Sequence, residues 1–339
     1  MTGNTYYIKT FGCAMNVSDA EMVAGWYEQK NWQPAKKAQE ADETVIITCS
    51  VRQTAEDRVY GLVENLKKLK IKNLKLKIVV TGCMMRYPLK YLKEKLPSVD
   101  EFKRINEYRV EDKVRESKTM AYVSIMEGCN NFCSYCVVPY ARGREVSRPL
   151  EEIICEVEEL ARRGYKEIML LGQNVNSYQK GFAQLLTRLN EISGIEKISF
   201  LTSNSWDLSD EIIEAMKLPK IDRYLHLPVQ SGDDEILKKM NRHYTVNDFI
   251  KLVGKIRKKI PDIKIGTDII VGFPGETKRE FQNTVDLCKK IGFVKAYVSM
   301  YSPRLQTAAY KFTDDILHKE KRRRWKILDD LINKMSLLC

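Results

Sequence analysis

Short β-branched or aromatic runs alternate with longer stretches of helical composition along almost the whole chain, and this alternation most restricts what it can fold into. Near the N-terminus, "TYYIKT", "ETVIIT" and "LKIVVT" read as strands. Between them, "VSDAEMVAGWYEQK" and "VRQTAEDRVYGLVENLKKLK" have helical composition and apolar spacing, with Ser18 and Thr54 expected as N-caps. Each strand runs into a cysteine: Cys13, Cys49 and Cys83, separated by 36 and 34 residues. That separation suits a strand–helix–strand unit, so a parallel α/β sheet is predicted. The carboxyl ends of parallel strands share one edge, where ligands usually bind. The three thiols are therefore expected to converge. One strand-end cysteine would be an ordinary buried hydrophobe; three at the same structural position argue for a site.

Beyond the charged stretch "NEYRVEDKVRESK", a longer alternation begins. Its strands are "MAYVSIM", "EIMLLG", "KISFLT", "YLHLPV", "IKIGTDIIVGF" and "AYVSMYS", with helices such as "LEEIICEVEELARRG", "VNDFIKLVGKIRKKI" and "KREFQNTVDLCKKIG" between them. Six strands alternating with helices predict a partial (β/α)6, TIM-like barrel with its active site at the strand carboxyl ends. A last helix, "ILHKEKRRRWKILDDLINKMSLLC", carries Trp325, Leu328 and Ile332 as an apolar stripe expected to dock on the barrel. The expected divisions are residues 1–118, 119–313 and 314–339.

The first barrel strand leads into "MEGCNNFCSYCVVPYARGR", where Cys129, Cys133 and Cys136 form CxxxCxxC. Thiolate sulfur selects zinc, copper(I) or iron–sulfur clusters. Zinc would need a fourth donor, and the histidines are His226, His243 and His318; of these His226 could face the barrel interior, but it reads better as a polar group lining a pocket. Three thiolates suit a four-iron cluster with one iron left open to a ligand that is not protein.

Nine cysteines, an odd number, without a secretory pattern at the N-terminus argue against a disulfide framework and for metal binding or catalysis. No run approaches the roughly 18 apolar residues of a membrane helix, so a cytoplasmic protein without a membrane partner is expected. The net charge of +12, with bursts such as "KKLKIKNLKLK" and "KEKRRRWK", points to a polyanionic partner, nucleic acid first, with a solvated basic helix face as the competing reading that charge alone does not displace.

CxxxCxxC at the end of the first barrel strand resembles the radical S-adenosylmethionine (SAM) enzymes. The surrounding "TFGCAMNVSDAE", "TCSVRQTAEDR", "VTGCM", "EGCNNFCSYCVVPYARGREVSRP", "LLGQNVNSY", "HLPVQSG", "TDIIVGFPGET" and "YSPR", in this order, are similar to the methylthiotransferases, and most so to the MiaB-type family acting on tRNA. The resemblance runs from about Tyr6 to Arg304. It implies two [4Fe-4S] clusters, one on Cys129, Cys133 and Cys136 and one on Cys13, Cys49 and Cys83, all six cysteines being catalytic. It further implies that one SAM supplies a methyl group and another a 5′-deoxyadenosyl radical, which takes hydrogen from carbon 2 of N(6)-isopentenyladenosine at position 37, in the tRNA anticodon stem-loop. A low-potential electron donor such as flavodoxin or ferredoxin and a sulfur donor are implied as partners.

By the same resemblance, Gln173 and Asn174 of "GQN", Ser203 after the third strand and Gln230 after the fourth are expected to line the SAM pocket, with Gly272 in a turn after the fifth. Arg142, Arg144 and Arg148 could grip a phosphate or the cofactor carboxylate. Cys155 and Cys288 are expected in the core, and Cys339 as an exposed thiol. The family normally continues into an all-β TRAM domain implicated in tRNA binding, whereas this sequence stops at the helix that would lead into it. "LTSNSWD" and "SPRLQTAAY" also depart from the family pattern, near the expected substrate loops. Activity on threonylcarbamoyladenosine tRNA or a ribosomal protein, and a non-catalytic nucleic-acid-binding protein stabilised by metal, are the competing readings.

Overall fold

The computed structural model describes residues 4–110 and 112–334. Two units make up the chain. One runs to Lys118 and also takes in Val137–Gly143; the other comprises Thr119–Cys136 and the chain from Arg144 onward.

The first unit contains β1 (Thr5–Thr10), α1 (Ala14–Glu28), β2 (Gln33–Pro34), β3 (Glu43–Thr48), α2 (Gln53–Lys72), β4 (Lys77–Gly82), α3 (Leu89–Lys95) and β5 (Glu101–Phe102). Its sheet has the order β2-β1-β3-β4-β5 and every pairing is parallel. Central β3, "ETVIIT", is buried at every position, as a strand covered by helices on both faces must be. The edge strands β2 and β5 span two residues each and carry no β-branched run, which is why the sequence pattern does not announce them. Neither expected cap forms. The helices begin directly off the strand-end loops, with Cys13 and Arg52 at the N-cap positions, so Ser18 lies buried inside α1 and Thr54 within the first turn of α2. The charged stretch is strapped along α1: Val114 N–H bonds the Glu21 carbonyl at 3.0 Å, and Arg115 lies 3.4 Å from the Glu21 carboxylate.

The second unit starts with β6 (Met120–Ser124) and β7 (Met126–Glu127); α4 (Val138–Arg142) belongs to the first unit. There follow β8 (Val146–Ser147), α5 (Leu150–Arg162), β9 (Glu167–Leu171), α6 (Phe182–Glu191), β10 (Lys197–Phe200), α7 (Asp210–Ala215), β11 (Tyr224–His226), α8 (Asp234–Lys239), α9 (Val246–Lys259), β12 (Lys264–Val271), α10 (Lys278–Ile291), β13 (Lys295–Met300) and α11 (His318–Asp329). Strands β6, β9 and β10 form one parallel sheet and β11, β12 and β13 another, in sequential order, with a parallel bridge from Ile198 to Ile221 between them. Among the described residues β13 does not pair with β6, so this is an open, partial (β/α)6 barrel.

One large core joins the outward strand residues, such as Val123, Leu170 and Ile269, to the helices. Thr245 and Thr277 close capping boxes with Asp248 and Glu280 at the starts of α9 and α10. The apolar stripe of α11 and the π-helical turn after it (Asp330–Lys334) docks as expected: Leu328 and Ile332 are buried in the core, and Trp325 packs on it while donating its indole N–H to the Val298 carbonyl at 3.0 Å. Among the described residues no helix is long and apolar enough to cross a membrane.

Candidate metal centres and cofactor pocket

In the first unit, Cys13, Cys49 and Cys83 follow three adjacent parallel strands, and two glycines let their loops approach. A Cβ on Gly12, where φ is +118°, would stand 2.8 Å from the Cys49 Cβ; one on Gly82, where φ is +89°, would stand 2.7 Å from the Thr48 carbonyl oxygen. A side chain at either place would push the cysteine loops apart. Asn16 then ties them. Its amide N–H groups bond the carbonyls of Phe11, at 2.6 Å, and Thr48, at 3.0 Å, while its Oδ1 accepts from Arg142 at 2.8 Å. The Thr48 hydroxyl donates to the Thr81 carbonyl and accepts from Met84 N–H. Beneath, Arg86 Nε donates to Ser50 Oγ at 2.7 Å, and Ser50 bonds the buried Glu56, linking the loops that follow Cys49 and Cys83.

Cys13 is exposed, whereas Cys49 and Cys83 are buried. Burial pushes the Cys83 thiol up to about 11, opposed chiefly by the Arg142 guanidinium. Burial also raises Cys49, against which the backbone N–H groups of Val51 and Arg52 act. Arg142 is thus not available to a phosphate: it pairs with Asp19 and Asn16 inside this unit.

In the second unit, the antiparallel pair β7–β8, which the sequence pattern does not reveal, brackets the CxxxCxxC loop. The loop is pinned from several sides. Ser134 N–H bonds the Met240 carbonyl at 3.0 Å and its hydroxyl the Lys239 carbonyl at 2.8 Å; Asn241 Nδ2 bonds the Phe132 carbonyl at 3.1 Å. Phe132 adopts φ of 48°, a strained value for a bulky residue and one that this pinning sustains. Cys129 and Cys133 are buried and Cys136 is half-buried. Burial raises the Cys129 thiol, against a backbone N–H from Asn131.

The polar residues expected at the strand ends show a common feature. Asn174 Oδ1, Ser203 Oγ and Gln230 Oε1 are all buried without a hydrogen-bond partner. They follow β9, β10 and β11, whose carboxyl ends surround one opening of the barrel. Buried polar atoms are almost always bonded, so three orphans at one rim mark a place for a polar ligand. Gln230 itself sits at φ of 67°, held by backbone bonds to β12 on both sides, and Thr202, beside Ser203, at 65°. Gln173 acts differently, since its Oε1 accepts from Gly128 N–H and so ties the "GQN" loop to the start of the cysteine loop. Gly172 permits the approach, since a Cβ there would lie 2.5 Å from Met126 Cγ.

Asp207 belongs to none of the sequence motifs that point to a site, yet it fixes this rim. Its carboxylate accepts from Asn174 Nδ2 at 2.9 Å and from Asn204 Nδ2, and a carboxylate can only accept. Asn174 is therefore held with its carbonyl oxygen as the unpaired atom. The one sequence signal for Asp207 is its position in "LTSNSWD", the stretch expected to depart from the family pattern.

Other expectations divide. Arg148 bonds the Ser124 carbonyl and Glu156, so it braces the barrel, and Arg144 lies over the Phe132 ring. His226 is buried with Nε2 3.0 Å from Asp268, a pocket-lining arrangement. Gly272 has φ of 68° in a turn beneath Lys321. Cys288 is in the core, but Cys155 is exposed, because it falls on the outer side of α5 while Ile153, Ile154 and Val157 face inward. Cys339 lies outside the described residues.

Among the described residues no three His, Cys, Asp or Glu side chains converge as a single metal ion requires. A four-iron cluster takes each thiolate on a different iron and needs its ligands arranged around it rather than converging on one point.

Comparison with known proteins agrees with this chemistry. Residues 123–288 match the Radical SAM superfamily, which brings with it SAM and a [4Fe-4S] cluster as cofactors, and residues 5–103 match Uncharacterized protein family UPF0004. The fold is similar to that of the radical SAM methyltransferase TsrM from Kitasatospora setae, with a TM-score of 0.61 at 13% identity over 88% of this chain and 73% of that one. It is also similar to the cobalamin-dependent SAM radical enzyme OxsB, with a TM-score of 0.58 at 11% identity over 95% and 56%. A tRNA-2-methylthio-N(6)-dimethylallyladenosine synthase from Thermoanaerobacter sp. (strain X514) is 46% identical over 98% of this chain and 78% of its own length. Another, from Clostridium botulinum (strain Hall), is 42% identical over 98% and 82%. Identity of this order across nearly every residue settles the kinship: the chain belongs to the radical SAM tRNA-2-methylthio-N(6)-dimethylallyladenosine synthase family.

Proposed function

We propose that this protein is a cytoplasmic tRNA methylthiotransferase that places a methylthio group on carbon 2 of N(6)-isopentenyladenosine at position 37. In this reading Cys129, Cys133 and Cys136 hold one [4Fe-4S] cluster, and Cys13, Cys49 and Cys83 hold a second. When loaded, the first centre supplies radical generation from SAM and the second carries sulfur. The observation that supports the reading is the placement of Cys13, Cys49 and Cys83 on one unit and of Cys129, Cys133 and Cys136 on the other, since generic radical chemistry needs only one such set.

The chain's own residues do the positioning. Asn174, Ser203 and Gln230 offer their unpaired oxygens to the polar groups of SAM, and Gln173 sets the cysteine loop against them. Asn16, Gly12 and Gly82 keep the other triad compact. The net charge of +12 supplies the field that draws an anticodon stem-loop. Flavodoxin or ferredoxin as reductant, and a separate sulfur donor, complete the partners.

Anaerobic incubation with SAM, a low-potential reductant and tRNA bearing isopentenyladenosine, followed by mass spectrometry of the nucleosides, is expected to show 2-methylthio-isopentenyladenosine. SAM cleavage without that product would refute the substrate assignment, and the product on threonylcarbamoyladenosine would replace it. Asp207→Ala frees the Asn174 amide to turn. It is expected to weaken SAM binding about tenfold, the scale of one misdirected buried hydrogen bond, in equilibrium dialysis with cluster content unchanged.

A further inference from the structure

Arg242 stands beside the radical-site cysteines, and no partner within the described residues matches its charge. Its NH1 group lies 3.5 Å from Cys133 Sγ, NH2 donates to the Pro228 carbonyl at 2.9 Å, and Nε to the Tyr244 hydroxyl at 3.3 Å. The guanidinium lies over Trp206 and Tyr244, with centroid distances of 4.6 and 5.2 Å. Tyr244 donates onward to the Val229 carbonyl at 2.6 Å, so this cation is braced against the loop that carries Gln230. Among the described residues no carboxylate pairs with Arg242.

A partly buried cation whose oxygen partners are neutral carbonyl and phenol groups, and which aims an NH1 N–H at a sulfur, suits negative charge at that sulfur. We propose that Arg242 is a positioning residue for the radical-site cluster: it holds Cys133 by an N–H···S bond and supplies the positive charge that sets the cluster's reduction potential. Hydrogen bonds to cluster sulfurs and nearby cations stabilise the more negative, reduced state, so both raise the potential. Trp206 takes part by fixing the guanidinium plane through its ring face. This gives "LTSNSWD" a second role beside that of Asp207.

The inference rests on Cys129, Cys133 and Cys136 as the ligands of that cluster. The test is an anaerobic redox titration followed by electron paramagnetic resonance, on the full chain and on Arg242→Lys, Arg242→Gln and Arg242→Met. The signal that changes shape on adding SAM identifies the cluster concerned. The midpoint is expected to move to more negative potential in the Gln and Met variants, with the Lys variant nearer the parent. If the neutral variants assemble no cluster while the Lys variant does, the requirement for charge is upheld. An unchanged or raised midpoint in either neutral variant, or loss of the cluster in all three, overturns it. A parent chain that binds no four-iron cluster would instead refute the ligand assignment.

Discussion

Cys133→Ala is expected to lower the iron content from about eight to about four per chain and to reduce SAM cleavage by roughly 10³-fold or more, as loss of a group essential to the chemistry does. Cys49→Ala is expected to lose the same amount of iron, yet retain SAM cleavage and form no methylthiolated tRNA. The two triads sit on different folded units with separate cores, so each can fail without dismantling the other. Iron analysis, 5′-deoxyadenosine release and nucleoside mass spectrometry on the same samples check both. Loss of SAM cleavage in Cys49→Ala would show that the triads do not act separately.

The second large effect concerns folding. Arg324 on α11 is buried and donates through NH1 to the Glu276 carboxylate at 2.6 Å and to the Glu276 carbonyl at 2.8 Å; that carboxylate also accepts Gly272 N–H at 2.7 Å. Arg324→Ala leaves a buried carboxylate without its cation, a change that costs roughly 3–5 kcal/mol in such pairs. Urea denaturation of the apoprotein measures it. Burial already holds the Glu276 carboxyl above its usual range, in spite of Gly272 N–H and Arg324. The native state therefore binds this proton more tightly than the unfolded chain, and stability falls as pH rises from the ordinary glutamate value through the raised one. Without Arg324 the carboxyl rises further, so the penalty should be larger at pH 8 than at pH 5. A penalty independent of pH would mean that Glu276 is not the group left exposed to the loss.

Much of this architecture is legible in the sequence because its causes are local. The barrel strands announce themselves by short apolar runs rich in aliphatic, β-branched or aromatic residues, and the last helix docks by the stripe at Trp325, Leu328 and Ile332. What the pattern misses is made by neighbours. Strands β2 and β5 exist because β1 and β4 have open edges, and Ser18 fails as a cap because α1 starts at the cysteine itself. Cys155 departs from its expected burial because Ile153, Ile154, Val157 and Leu160 form the one stripe of α5 that turns inward, and Cys155 falls off it.

The two sets of three cysteines, the order of strands and helices, and the family to which they point all follow from the order of residues. CxxxCxxC is a local spacing, and strand-end cysteines follow from the regular length of a crossover unit. Which polar atoms remain for a ligand, and which charges are already spent, emerged only on folding. Arg142 and Arg148 are used within their own units, the Asn174 amide is oriented by Asp207, and Arg242 is set beside Cys133. Those outcomes depend on hydrogen bonds between residues 33 to 126 positions apart in sequence, except for Arg148, whose partners Ser124 and Glu156 lie 24 and 8 positions away, and no local pattern encodes who meets whom across such separations.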